Sequence, residues 1–414
     1  MPTVPLFSRS TWLALVFLIA LRLPAAVSEP KPQAEAPFVF RTWKTPDGLP
    51  NNSVTRIAQT PDGFLWLGTY NGLARFDGVN FHDLGLQNGL HSLQISALLL
   101  DSHGTLWIGT VGGGLSRLEH GKITTLTAAD GLAANSVNEL LEDQNGVLWI
   151  STVRGLSRWK DGAFITNTIP ELMGQNIGAL ALDRKGGVWI AASGEKLLVH
   201  AKAGQFEVVN LPPEFGLIHA LLVDEQNRLW VGADNGEIFL READGESRRV
   251  FGQADGLPKA MINTLVISPD GALWAGTLDA GIYYLHEGRF ISFDESNGLP
   301  SNGIYTLFAD RDHFLWVGTR AGGLCRLTPR HVYNLRVMED GQERFPNSLA
   351  ETTDGTLWVS TPGRGLFQWD GTEFKQFLRN PPTIGHRFVR AVLAGRDGSL
   401  WWGAGPALFQ WPTN

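Results

Sequence analysis

Nine times along this chain a leucine or valine is followed at once by tryptophan and a short apolar stretch, at Trp66, Trp107, Trp149, Trp189, Trp230, Trp274, Trp316, Trp358 and Trp401. Successive tryptophans lie 41, 42, 40, 41, 44, 42, 42 and 43 residues apart. A period that regular means one supersecondary unit copied in series, each copy unable to bury its apolar face without a neighbour. The repeat constrains the architecture before any other feature is read, and it leaves the function open.

The first copy shows the local grammar. Asp47-Gly48-Leu49-Pro50 opens a connection, and an alternating apolar strand follows from Ser53 to Thr60. Pro61-Asp62-Gly63 is a tight turn into Phe64 to Thr69, which carries Trp66, and Asn71-Gly72 turns again into Leu73 to Phe76. Asp77-Gly78 then leads to a fourth strand around Phe81. Asp-Gly and Asn-Gly between apolar runs accept the positive φ that tight hairpins require, so each is a strand-turn-strand signal. Four short antiparallel strands in about 42 residues make one blade of a β-propeller. The expected fold class is therefore all-β, a propeller of about nine four-stranded repeats over residues 38–414.

The two ends bear on closure. The ninth copy runs through Phe388–Ala394, Leu400–Gly403 and Leu408–Trp411 with no fourth strand, while Phe38–Thr45 resembles a lone fourth strand. The simplest account has the N-terminal strand complete the last blade and close a single nine-bladed ring, which removes open sheet edges. A competing arithmetic gives seven blades followed by two belonging to a second ring; the stretch Thr328 to Arg344 is the least regular part of the chain.

Residues 1–28 stand outside the repeat. Arg9, an apolar run from Trp12 to Leu21 and Ala26-Val27-Ser28 read as a cleaved secretory signal, with residues 29–37 as a linker. The run is short for a span of about 20 residues and Arg22 interrupts its end, so a periplasmic or secreted chain is expected. Without that segment, which holds two arginines and no acids, 32 basic face 41 acidic residues, a net charge of −9. That excludes a nucleic-acid partner held by clustered Lys and Arg. Cys325 is the only cysteine, so no internal disulfide forms and apolar burial must supply the stability; its place after Gly-Leu marks it as a packing residue.

The residues Asp47-Gly48-Leu49-Pro50, Leu65-Trp66-Leu67-Gly68-Thr69, Asn71-Gly72-Leu73 and Arg75-Phe76-Asp77-Gly78 resemble the two-component regulator propeller repeat. The pattern returns in phase at Asp130-Gly131-Leu132 with Leu148-Trp149-Ile150, and at Asn297-Gly298-Leu299-Pro300 with Leu315-Trp316-Val317-Gly318-Thr319. The resemblance implies the extracytoplasmic sensor region of a bacterial hybrid histidine kinase or related membrane-bound signalling protein, recognising glycans or their breakdown products. Members of that family also carry a second propeller, an immunoglobulin-like domain, a membrane span and an output domain. Here no helical phospho-accepting histidine and no nucleotide-binding motif is found, so a binding module with a membrane-bound signalling partner is expected.

In a four-stranded blade the second-to-third turns and the blade-to-blade connections share one face. Those segments are the longer and more varied here, and variable loops on a rigid scaffold favour binding. The candidate ligand-binding residues on them are Asn52, Tyr70, Asn71, Arg154, Lys196, Asn235, Asp279, Arg320 and Arg364. Asn71 and Asn235 also suit turns by their φ/ψ tolerance, whereas Arg154, Arg320 and Arg364 have no turn chemistry to explain them. The nine repeated tryptophans, flanked by Leu, Ile and Val, are expected to pack between blades, while Trp159, Trp369 and Trp411 lie nearer the rim. The ten histidines are scattered, so no metal site and no cofactor is expected. Asp310, Asp312 and His313 sit at a hairpin turn, and Gly112-Gly113-Gly114 precedes a strand. The alternative function is a polysaccharide lyase or hydrolase built on the same scaffold, or a protein-binding scaffold.

Overall fold

The structure, a computed structural model, describes residues 38–411 apart from 166–168, 170–171, 194–195, 247, 330–336, 340–341, 372, 379–388 and 405. The expected signal and linker, residues 1–37, lie outside the described residues. The chain divides into two compact units, Ala36–His331 and Val332–Asn414.

The first unit holds seven four-stranded antiparallel sheets. Their innermost strands are Val54–Gln59, Ile95–Leu100, Val137–Glu142, Ile177–Leu182, Ile218–Val223, Ile262–Ile267 and Ile304–Ala309, which number the blades 1 to 7. Each inner strand packs against the next, and that of blade 7 packs against that of blade 1. Seven hydrophobic clusters fill the seven junctions, and the one between blades 7 and 1 contains Trp316 and Leu324 together with Val54, Leu67 and Phe76.

This corrects the expected single ring of nine. The N-terminal strand Phe38–Trp43 does not complete the ninth repeat; it pairs with Leu324–Pro329 of blade 7, in register from Phe38 opposite Pro329 to Trp43 opposite Leu324. Packing supplies the reason. Trp43, 5% exposed, stacks on Trp316 at 5.4 Å and meets the edge of Phe76 of blade 1 at 5.3 Å. One residue thus plugs the junction at which the ring closes, and burying such a side chain contributes roughly 1.5–3 kcal/mol.

The tryptophans pack as expected, eight of them buried and Trp401 half-buried. A second reason for the repeat emerges from their indole N–H groups. Trp107, Trp149, Trp230 and Trp316 each donate to the carboxylate six residues upstream, Asp101, Asp143, Asp224 and Asp310, at 2.6–2.9 Å. Trp66, Trp274 and Trp358 donate in the same way to the hydroxyls of Thr60, Ser268 and Thr352. The acidic or hydroxyl residue pins the first hairpin to the tryptophan and satisfies a buried donor. Asp310 is therefore a hairpin residue, its other oxygen taking the amides of Asp312 and Phe314.

The Asp/Asn-Gly-Leu signal forms a single 3-10 turn between blades, as at Thr45–Asp47 and Glu295–Asn297. The acidic or amide side chain accepts the amide N–H three residues back, the glycine takes φ near +100°, and the leucine is buried. Only glycine adopts that left-handed turn without strain. The glycine of Leu-Trp-x-Gly-Thr answers a different need: a Cβ on Gly109 would stand 2.6 Å from Val137 Cγ1 of the next blade. Cys325 is fully buried in blade 7, where burial pushes its thiol up to about 12.

The second unit contains a hairpin, Val337–Glu339 with Gln342–Arg344, and a four-stranded sheet from Ser348 to Leu378. A three-stranded sheet, Val389–Ala394, Leu400–Ala404 and Ala407–Trp411, completes it. Its core joins Trp358 and Leu366 to Val389, Val392 and Trp402. Trp411 is half-exposed and leans edge-on against Phe377.

Candidate functional site

Every inner strand of the first unit carries the same irregularity. Registers shift between Val54 and Arg56, Ile95 and Ala97, Val137 and Glu139, Ile177 and Ala179, Ile218 and Ala220, Ile262 and Thr264, and Ile304 and Thr306. A bulge leaves one residue out of the ladder and re-aims its side chain. The residues so released are Thr55, Ser96, Asn138, Gly178, His219, Asn263 and Tyr305, one per blade, and all seven line one cavity of about 320 Å³. At about 30 Å³ per water, that space equals about ten waters, within the range of small-molecule sites.

Arg56, Tyr70, Gln94, Ile95, Val111, Asn176 and Ser193 complete the lining. Tyr70, Val111 and Ser193 come from second-to-third loops, and Gln94 and Asn176 from blade-to-blade connections. The cavity thus opens on the face that the sequence favoured.

Most bulge side chains are tied to the neighbouring blade. Thr55 Oγ1 donates to the Ile95 carbonyl at 2.7 Å and Ser96 Oγ to that of Val137 at 2.5 Å. Asn138 Nδ2 donates to the Ile177 carbonyl and to Asn176 Oδ1, both at 2.8 Å. Asn263 Nδ2 reaches the carbonyls of Ile304 and Tyr305, both at 3.1 Å. Tyr305 instead meets Tyr70 hydroxyl to hydroxyl at 2.9 Å, with ring centroids 5.7 Å apart. Burial and that contact push the Tyr305 phenol up to about 12, with Arg320 opposing.

Charge enters through Arg56. Its guanidinium donates to the Thr55 carbonyl at 2.8 Å and spans blade 2 to the Asn138 carbonyl at 3.4 Å. Burial pulls its pKa down while Glu139 opposes that shift. Glu139 is pushed up by burial, against the influence of Arg56 and of the Leu180 amide that donates to it at 3.1 Å. Burial also lowers the pKa of His219, with Asp234 opposing, which favours the neutral ring with one donor and one acceptor nitrogen. Among the described residues no cluster of three or more His, Cys, Asp and Glu is arranged to hold a metal.

Of the residues singled out from sequence, Tyr70 lines the cavity and Arg320 stands beside Tyr305. Others are engaged in loop structure. Asn52 accepts the Thr45 amide on its side chain and the Gly323 amide on its carbonyl, both at 2.9 Å. Asn71 and Arg154 donate backbone amides to Thr69 and Thr152 within their turns. Lys196 Nζ donates to the Pro213 carbonyl, and Asn235 is bonded to Glu237. Asp279 is exposed, and the Tyr283 phenol is raised chiefly by burial, with the charges of Asp294 and Asp279 adding to it. Arg364 belongs to the second unit, where its carbonyl accepts from Gln376. The loop-by-loop reading missed the bulge residues, although a signal was present: the residue after the first Val or Ile of each inner strand is polar or glycine in all seven repeats.

Seven sheets in cyclic succession around an axial polar cavity define a β-propeller. Four of its repeats, residues 48–71, 89–112, 131–154 and 298–321, match the two-component regulator propeller family. Curated protein sequences give no match. Among solved structures, the extracellular domain of a hybrid two-component system from B. thetaiotaomicron is similar, with a TM-score of 0.66 and 20% identity over 91% of this chain and 54% of that one. Virginiamycin B lyase from Staphylococcus aureus, in a catalytically inactive form with quinupristin, matches at 0.60 and 15% over 70% of this chain and 99% of that one. PorZ, a surface component of the type-IX secretion system of Porphyromonas gingivalis, matches at 0.58 and 18% over 88% and 60%. At these identities the likeness is one of fold. The chain spans about half the length of the first of these structures. No helix among the described residues is long and apolar enough to cross a membrane.

Proposed function

We propose that this chain is a sensory module of two-component type that acts outside the cytoplasm and binds a glycan or similar polar small molecule in the axial cavity of its first unit. The observation that carries the reading is the lining: amide, hydroxyl and phenol groups with one guanidinium and one imidazole, and no carboxylate among them. A glycoside hydrolase needs a pair of carboxylates flanking the scissile bond, whereas a binding site needs a few placed polar groups on a rigid wall. The extracellular origin of the first similar structure and the apolar N-terminal run support a periplasmic or secreted location. Output passes to a membrane-bound signalling partner.

The test is thermal denaturation of the full chain with neutral oligosaccharides, uronic acids and nucleotides. A ligand at 100 times its Kd adds about 2.7 kcal/mol of stability. The reading expects a shift that Tyr70→Ala abolishes, with the ligand recovered unchanged. Consumption of the ligand, or no shift with any compound, would refute it.

A further inference from the structure

The ring of bulge-to-carbonyl hydrogen bonds is interrupted at blades 4 and 5, and at blade 7, where Tyr305 turns to Tyr70 instead. In blades 1, 2, 3 and 6 the bulge residue donates to the carbonyl of the first residue of the next inner strand, namely Ile95, Val137, Ile177 and Ile304. In blade 4 that residue is Gly178, which has nothing to donate, and in blade 5 it is His219. Among the described residues no side chain donates to the carbonyls of Ile218 or Ile262, the positions that Gly178 and His219 would serve. Both residues are fully buried and neither lines the cavity, so what this sector presents to a ligand is its side chains.

The same sector supplies the cavity's uncommitted side-chain groups. Ser193 occupies the space left by glycine, since a Cβ on Gly178 would collide with its Oγ. Among the described residues the Ser193 hydroxyl and the His219 ring have no hydrogen-bond partner, and both line the cavity. Asn176 accepts from Asn138 through Oδ1, which leaves its amide N–H groups unused. Facing this sector, Tyr70 and Tyr305 offer two aromatic rings on the opposite side of the ring of blades.

We propose that the blade 4–5 sector, formed by Asn176, Gly178, Ser193 and His219, is the recognition subsite of the cavity, and that it takes a neutral, hydroxyl-rich group. This deepens the sensory reading above and rests on it. The chemistry selects the class. The uncommitted groups, a hydroxyl, an imidazole and an amide, carry no fixed charge, and a ligand hydroxyl, which both donates and accepts, matches them. A cationic ligand is disfavoured by Arg56, which lines the same cavity. Four of the seven blades have closed this position with their own side chains. Blades 4 and 5 have not, and their Ser193 and His219 side chains stay free for the ligand.

The pattern dictates the test, because the other blades show how to close the gap. His219→Asn copies blades 3 and 6, and the double variant Gly178→Asn/Ser193→Gly does the same in blade 4. The full-length chain and both variants are titrated with gluco-, manno-, xylo- and galacto-oligosaccharides, with galacturonate and inorganic phosphate as anionic probes. The expected result is a Tm equal to or above wild type in the variants, with Kd for the best neutral oligosaccharide raised at least tenfold. If His219→Asn fails to fold, the double variant decides the matter by the same criterion. A neutral ligand whose Kd is unchanged by both variants but raised by Tyr70→Ala would overturn the subsite and leave the cavity reading standing. Binding of the anionic probes alone would overturn the ligand class. No binding by wild type would overturn both.

Discussion

The placement of the N-terminal strand can be tested with the chain's only cysteine. Thr42 lies directly opposite Cys325 in the antiparallel pairing of Phe38–Trp43 with Leu324–Pro329, and the two side chains are in contact. Opposed antiparallel residues have Cα atoms about 4.5 or 5.5 Å apart, inside the window of about 4.4–6.8 Å that a disulfide tolerates. Thr42→Cys should therefore form a bridge to Cys325. The bridge closes a loop of about 280 residues, for which the chain-entropy relation gives about 5–6 kcal/mol, less any strain. Burial pushes the Cys325 thiol up to about 12, so few thiolates are present in the folded protein and exchange there is slow. Oxidation is best done during refolding from denaturant in a glutathione couple. Three readouts should agree: loss of both titratable thiols in the denatured, unreduced variant, faster migration on a non-reducing gel, and a Tm that falls when reductant is added. Two free thiols in a folded variant of wild-type Tm would refute the pairing. A strand completing the sheet of Ala407–Trp411 would give that result, because no cysteine lies there.

Other consequences can be checked by denaturant unfolding. Gly109→Val should destabilise the chain by about 1–3 kcal/mol or more through overpacking, since even its Cβ would lie 2.6 Å from Val137 Cγ1 and 2.9 Å from Ala97 Cβ; an unchanged midpoint would show that blade spacing gives way. Trp107→Phe leaves Asp101 Oδ2 without its donor and should cost about 1–3 kcal/mol beyond the lost packing. Trp189→Phe should cost less, because Asp183 Oδ2 is bonded to His200 at 2.7 Å and His200 stacks on Trp189 at 4.1 Å; equal losses would contradict the role assigned to the indole N–H. Burial alone would raise the Asp183 carboxyl, but the Gly187 and Lys185 amides and His200 outweigh it and hold the pKa low. A depressed folded pKa adds stability above the unfolded value of about 3.9 that is lost as pH falls through the folded one. Asp183→Asn should therefore flatten the acid limb of the stability curve below about pH 4.

What the sequence revealed and what it hid divide along a physical line. The strands, the turns and the tryptophan packing were legible because each is encoded within about a dozen residues: Asp-Gly and Asn-Gly for positive φ, alternation for the sheet face, and an acid or hydroxyl six residues before the tryptophan. The number of blades was not legible, because a lone N-terminal strand can in principle pair with any sheet that lacks its outer strand, and two repeats offered such an edge. Phe38–Trp43 is decided by contacts more than thirty residues apart in sequence, with Trp43 set between Trp316 and Phe76. The one local hint was the irregular stretch from Thr328, where the seventh repeat fails to continue its own pattern.

The cavity was hidden for a related reason. A bulge is a property of two strands in register, and nothing in Ile218-His219-Ala220 alone says that the middle residue leaves the ladder. Read along the chain, Thr55, Ser96, Asn138, Gly178, His219, Asn263 and Tyr305 are seven unremarked residues; the closure of the ring turns them into one wall. Loop residues such as Asn52 and Asn235 attracted notice because they are polar and variable, yet their hydrogen bonds go to neighbouring backbone and side chains. In a repeat protein the structurally indispensable positions recur with little change, as the tryptophan and the turn glycines do here. The place to look for function is then the position that each repeat holds in the same geometry and fills with a different side chain. In this chain the inner-strand bulge is such a position, ranging from glycine to histidine to tyrosine around a single axis.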